Sequence, residues 1–195
     1  MVSLMQRRRE MMKKTAGEPH LVYSLFNRTV TTGEQIKTGV KPFEADTNIT
    51  ILFDMNVTAN PTSGAASKFR FLTCYNSGIS LDAFRFVKNS TGASYYSIYW
   101  MGQNFGTNDL EVSTGRARIV VTHEAGSNTV KTYFKKDNGS IRTKNTAKTF
   151  TAATGNVLYL GGTANGQASL PAGVINSVKV YDIILTSDEI NAFFA

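Results

Sequence analysis

Chemistry in this sequence concentrates where aromatic and amide side chains meet. Tyr95, Tyr96, Tyr99, Trp100, Gln103, Asn104 and Phe105 all fall within SYYSIYWMGQNF. Aromatic faces stack on the C–H surface of a sugar ring, while amides bond its hydroxyls. The stretch is therefore a candidate glycan platform, with Tyr95, Tyr99, Trp100, Gln103 and Asn104 as its binding residues. As a strand, it would turn Tyr96, Ile98 and Trp100 one way and Tyr95, Ser97 and Tyr99 the other. One set is then core and the other exposed.

Acid–base chemistry is poorly provided for. Hydrolysis of a glycosidic bond needs two carboxylates flanking it. Asp109 and Glu111 stand two apart in NDLEV and can share a strand face, but their partner acid is missing. There is no G-x-S-x-G, no phosphate-cradling glycine loop and no Ser/His/Asp set. Gly161-Gly162 reads as a tight strand exit. The 2 histidines, His20 and His123, lie far apart with no His, Cys or acidic pair at ligand spacing. They read as structural or surface residues. The single Cys74 excludes an intramolecular disulfide and a Cys-rich zinc site, and reads as a small packed hydrophobe. The expectation is a protein without catalysis and without a cofactor.

The elements that must position these residues fit one domain plus a short extension at 195 residues. A composition of 42% apolar, 11% aromatic and 18% charged residues describes a globular chain on the polar side. No apolar run approaches the length of a membrane span. The net charge of +7 is uneven, because Arg7, Arg8, Arg9, Lys13 and Lys14 face only Glu10 within residues 1–14. That leaves the remainder mildly basic. Arg116 and Arg118 share a strand face, and Lys131, Lys135, Lys136, Arg142, Lys144 and Lys148 decorate a hairpin region. These basic residues read as a solvated edge that discourages strand-to-strand aggregation, not as a nucleic-acid face.

Residues 1–17 read as a helix ending at Gly17. Leu4, Met5, Met11 and Met12 make a narrow apolar stripe, with Arg7, Arg8 and Arg9 on other faces. A secretory signal fails for want of an apolar run after the charges. The stripe is thin for a membrane-surface helix, and a disordered basic terminus is the plain alternative. A docking arm against a partner or a second copy fits best, with Leu4, Met5, Arg7, Arg8, Met11 and Met12 as its contacts, since so short a helix needs tertiary support.

Beyond Pro19 the chain reads as roughly ten to thirteen short strands at sandwich spacing. Ile49, Ile51, Phe53, Met55 and Val57 alternate with Thr50, Asp54 and Asn56, with Leu52 the exception. Further strands fall at 68–76, 79–87, 94–101, 112–124, 129–135, 148–150, 157–161 and 173–184. Thr186 or Ser187 can cap a closing helix whose first turn is acidic, and Ile190, Phe193 and Phe194 form its apolar face. That face is expected to cover an open end of the core. Periodicity alone thus gives an all-β sandwich of two antiparallel sheets with helices only at the termini.

The closing segment resembles that of the laminin-G-like, concanavalin-A-like jelly rolls. Tyr159, Gly161, Gly162, Gly173, Ile175, Val178, Val180, Tyr181, Leu185, Thr186, Glu189 and Ile190 match its form. A second likeness lies near the start, at Tyr23, Thr32-Gly33-Glu34-Gln35, Ile36, Thr38-Gly39-Val40 and Lys41-Pro42. It is similar to the opening of laminin-G-like modules in phage and prophage proteins, which often begin with a short Arg- and Met-rich helix. The resemblance implies a jelly roll over 18–195 with a docking arm at 1–17. It also implies a non-catalytic virion protein of tail, baseplate or capsid surface, partnered by other virion proteins, by copies of itself or by a host glycan. A secreted or bacterial-surface carbohydrate-binding module is the alternative. Catalytic members of the superfold carry an E-x-D-x-E strand, which is missing here. Some members bind calcium at the sheet rim, so calcium stays open as the alternative to no cofactor, although Asp54, Asp82, Asp137 and Asp182 stand singly in the sequence.

Overall fold

The computed structural model describes residues 20–31, 34–40, 47–59, 68–76, 79–88, 95–100, 103–104, 110–111, 114–127, 129–147, 157–161 and 170–195. Residues 1–17, the expected docking arm, and the expected strand at 148–150 lie outside them. Among the described residues there are thirteen strands and one helix. The strands are β1 (Leu21–Val30), β2 (Ile36–Lys37), β3 (Ile49–Val57), β4 (Lys68–Asn76), β5 (Ile79–Lys88), β6 (Tyr95–Trp100) and β7 (Gln103–Asn104). They continue with β8 (Leu110–Glu111), β9 (Gly115–His123), β10 (Thr129–Lys136), β11 (Arg142–Ala147), β12 (Val157–Leu160) and β13 (Gly173–Tyr181). The helix α1 spans Ser187–Phe194.

Two antiparallel sheets make the sandwich. A six-stranded sheet runs β1-β13-β3-β9-β10-β11, and a seven-stranded sheet runs β2-β12-β4-β5-β6-β7 with β8 also pairing β6. The β-branched, alternating residues of β3 and β9 explain the first sheet. Ile51, Phe53 and Met55 of β3, with Ile119 and Val121 of β9, are fully buried between the sheets. Phe71, Leu72, Leu158 and Leu160 meet them from the other sheet. Phe53 and Phe71 touch edge to face across the interior, with ring centroids 5.5 Å apart.

Leu52 breaks the alternation of β3 for a reason. It belongs to a second apolar cluster on the outer face of the six-stranded sheet, with Leu21, Val120, Tyr181, Leu185, Ile190 and Phe194. Helix α1 therefore lies on the back of a sheet and does not close an end of the core. Strands covered on both faces read as near-continuous apolar runs, and Ile49 to Met55 are indeed all buried.

Two glycines of the closing segment are fixed by close backbone approach. A Cβ on Gly173 would sit 2.1 Å from the Asn56 carbonyl oxygen across the β13–β3 ladder. Gly161 has φ +97° and a Cβ there would lie 2.7 Å from the Glu34 carbonyl oxygen. Gly161 and Gly173 of that closing pattern are thus steric requirements of strand packing.

Candidate functional site

The aromatic stretch of the sequence is strand β6, one strand in from the margin of the seven-stranded sheet. It pairs β5 on one side, with Arg85 opposite Tyr99 and Phe86 opposite Ile98. On the other side Tyr99 stands opposite Asn104, Trp100 opposite Gln103, and Tyr95 opposite Glu111. The structure therefore brings all five candidate glycan residues onto adjoining strands. For 95–100 and 103–104 it describes the backbone path; their side-chain positions lie outside the described residues.

The six-stranded sheet carries the best-defined polar geometry, on its outer face around α1. Asp54 is buried and receives Nε and Nη2 of Arg116 at 3.0 and 2.6 Å. Asn176 adds a third hydrogen bond at 3.0 Å. A bulge between Ile175 and Ser177 in β13 supplies the extra residue at this point. The hydrogen bond to Asp54 holds the Arg116 guanidinium above its usual range. Burial pushes that of Arg118 down, yet arginine stays charged.

Arg118 is 2% exposed and donates to the Phe193 and Asp137 carbonyls. Lys135 donates to the Phe194 carbonyl at 2.8 Å. Two sheet cations thus satisfy the C-terminal carbonyls of a helix that has no basic residue in its own last turn. The expectation of a solvated basic edge is corrected for Arg118 and Lys135: they are helix-capping groups. Exposed Arg142 does lie on the edge strand β11.

Besides Asp54, four described carboxylates have structural partners that explain them. Glu34 pairs Arg28 at 2.6 Å, Asp182 meets the His20 ring at 2.9 Å, and Asp137 accepts the Arg116 backbone N–H at 2.7 Å. Glu189 accepts the Thr186 N–H and hydroxyl at 2.7 and 2.8 Å, while its own N–H donates to the Thr186 oxygen. Thr186, not Ser187, is therefore the cap. His123 is buried, with Nδ1 3.2 Å from the Thr47 carbonyl and Nε2 2.9 Å from that of Ser127. Among the described residues no three His, Cys, Asp or Glu side chains gather as metal ligands. A cleft of about 540 Å³ opens beside α1, between Phe193 and Glu189 of the helix and His20, Lys179 and Tyr181 of the strands. Glu189 is already held in the capping box, so this cleft offers no free acid–base pair.

Residues 30–191 match the family described as the Concanavalin A-like lectin/glucanases superfamily. The chain belongs to that superfamily. No curated protein matches it. Among solved structures, the sialidase carbohydrate-binding module CBM40 of Ruminococcus gnavus, bound to α2,6-sialyllactose, is 15% identical with a TM-score of 0.58. That match covers 90% of this chain and 100% of the module. A leech intramolecular trans-sialidase is 19% identical over 88% of this chain, with a TM-score of 0.56, but only 27% of the leech chain is covered. A Trypanosoma rangeli sialidase is 14% identical over 90% of this chain and 28% of its own, at 0.55. At such identities the likeness to these structures is one of fold. Concanavalin A-like domains host both binding and catalysis, so function must come from the site.

The sequence missed the outer face. Nothing in local periodicity pairs Asp54 with Arg116 across 62 positions or Lys135 with the last helical turn. The one available signal was Leu52, an apolar residue on the wrong parity of β3.

Proposed function

We propose that this concanavalin A-like domain is a non-catalytic carbohydrate-binding module acting outside the cell or on a bacterial surface. The observation that carries this reading is coverage: the chain matches an entire carbohydrate-binding module end to end, but only about a quarter of the sialidases.

Strands β6 and β7 are the proposed platform. Tyr95 and Tyr99 occupy alternate positions, so they share a face, and Asn104 stands opposite Tyr99. Trp100 and Gln103 belong to the other face. Two aromatic rings and an amide on one sheet face suit stacking plus hydroxyl recognition.

A glycan array that includes α2,3- and α2,6-sialyllactose tests the reading. Tyr99→Ala and Tyr95→Ala, taken singly, should each weaken the bound glycan about tenfold, the scale of one stacking contact. Unchanged binding in both would sink the platform, and reducing-sugar release from polysaccharide would overturn the non-catalytic reading. A virion role, with an arm of Leu4, Met5, Arg7, Arg8, Met11 and Met12 docking to other virion proteins, draws on the two sequence likenesses alone. The carbohydrate reading draws on the fold comparison as well and is preferred.

A further inference from the structure

We propose that the six-stranded sheet holds a second saccharide site, on its outer face, which takes a neutral hexose. The site is a cleft of about 330 Å³ between α1 and strands β9, β10 and β11. Buried Leu185 and Ile190 form its apolar side. Half-buried Tyr133 supplies an aromatic wall.

The polar groups are ordered by strand register. Thr122 of β9, Lys131 of β10 and Asn145 of β11 stand in one cross-strand row. Tyr133 lies two residues along β10 from that row and on the same face. Same-face neighbours at that spacing are about 7 Å apart, which is the span of one sugar ring between a stacking ring and hydroxyl partners. Glu124 and Thr129, both exposed, add a carboxylate and a hydroxyl at the rim. An amide, a carboxylate and hydroxyls beside one aromatic ring are the groups that recognise a sugar.

Charge selects the class. The Glu124 carboxylate and the Lys131 ammonium both line the cleft, so it is formally neutral and does not favour an acidic sugar. Lys131 holds Nζ 5.0 Å from the Tyr133 ring centre. An exposed cation–π contact of this kind is weak, so a sugar C–H face can take its place while the ammonium turns to a hydroxyl. The volume, near the lower end for small-molecule sites, fits one ring or two.

The ligand class rests on the carbohydrate-binding reading, but the location does not rest on β6 and β7, which belong to the other sheet. The test is calorimetric titration of the full chain with methyl glycosides of glucose, galactose and N-acetylglucosamine. Two sites per chain are expected. Asn145→Ala and Glu124→Gln, both at exposed positions that leave the fold intact, should each weaken one site about tenfold and leave the Tyr99-dependent site unchanged. Tyr99→Ala should do the reverse. A single site lost in Tyr99→Ala and indifferent to Asn145→Ala overturns this cleft and keeps the platform. A single site lost in Asn145→Ala alone keeps the cleft and overturns the platform. No binding of any of these neutral glycosides overturns the cleft, while the platform is judged by the sialyllactose array.

Discussion

Ile51, Phe53 and Met55 point from β3 into the space between the sheets, while Thr50, Leu52 and Asp54 point from the same strand to the outer face. The inner set meets only apolar partners. The outer set is chemically mixed: Thr50 holds the chain that leads into α1, Leu52 packs beneath the helix, and Asp54 anchors Arg116 and Asn176. One face is governed by volume and the other by specific bonds. The inner face needs apolar residues of about the right size, whereas the outer face needs particular atoms at particular positions.

The largest expected effect separates the two faces by volume alone. Phe53→Ala should cost about 3–5 kcal/mol, because it leaves a cavity where Phe71 now meets its ring. Leu52→Ala, one residue away, should cost about 2–3 kcal/mol, since a helix on an open face can settle into the space. Urea unfolding of both variants would measure the gap. Equal costs would mean that the two faces are energetically one core.

A smaller effect isolates the bonding on the outer face. The Thr50 hydroxyl donates to the Ile183 carbonyl at 2.8 Å and accepts the Leu185 N–H at 3.1 Å. Thr50→Val keeps the shape and orphans both backbone groups, at a cost of about 1–3 kcal/mol. Thr50→Ser should restore most of it. The loss should appear first as faster proteolysis between β13 and α1, with β3 and β9 amides still protected from exchange. A valine variant as stable and as resistant as the wild type would show that the helix is held by packing alone.

These contrasts explain what could be read from the chain. Alternation in β3 exposed the inner face, because one buried face and a period of two leave a direct imprint; in β13 the bulge between Ile175 and Ser177 breaks that period and brings Ile175, Val178 and Val180 into one core. The Thr186–Glu189 box and the acidic first turn exposed α1. Its docking place was not legible: Ile190 and Phe194 show that the helix has an apolar side, but not which surface receives it. That was decided by Val120 and Leu52, two residues hidden inside strands already accounted for. Strand β11 was missed because RTKNTA has no apolar alternation, being an edge strand with an exposed face. At the candidate platform, the sequence showed the aromatic cluster and its two parities. Only the register adds the two amides to those parities, pairing Asn104 with Tyr99 and Gln103 with Trp100.

The smallest expected effect is a pH dependence confined to the outer face. Glu189 accepts hydrogen bonds from the Thr186 N–H and hydroxyl, which hold its carboxyl below the usual carboxylate range. Its pKa is therefore lower folded than unfolded, so the unfolded chain binds the proton more readily. The capping contribution is complete above the unfolded value and is lost as pH falls through the folded one. Among the described residues the inner face around Phe53 and Ile119 is lined by apolar side chains, and its amides from Ile119 to Val121 should not respond. Amide protection factors across residues 187–194 should thus fall between neutral and acidic pH while those of β9 hold steady. Glu189→Gln keeps a side-chain oxygen able to close the capping box but cannot titrate, so its helix should lose this acid step. If α1 and β9 lost protection together, the helix and sheet would be one cooperative unit, and the two faces could not be loosened separately.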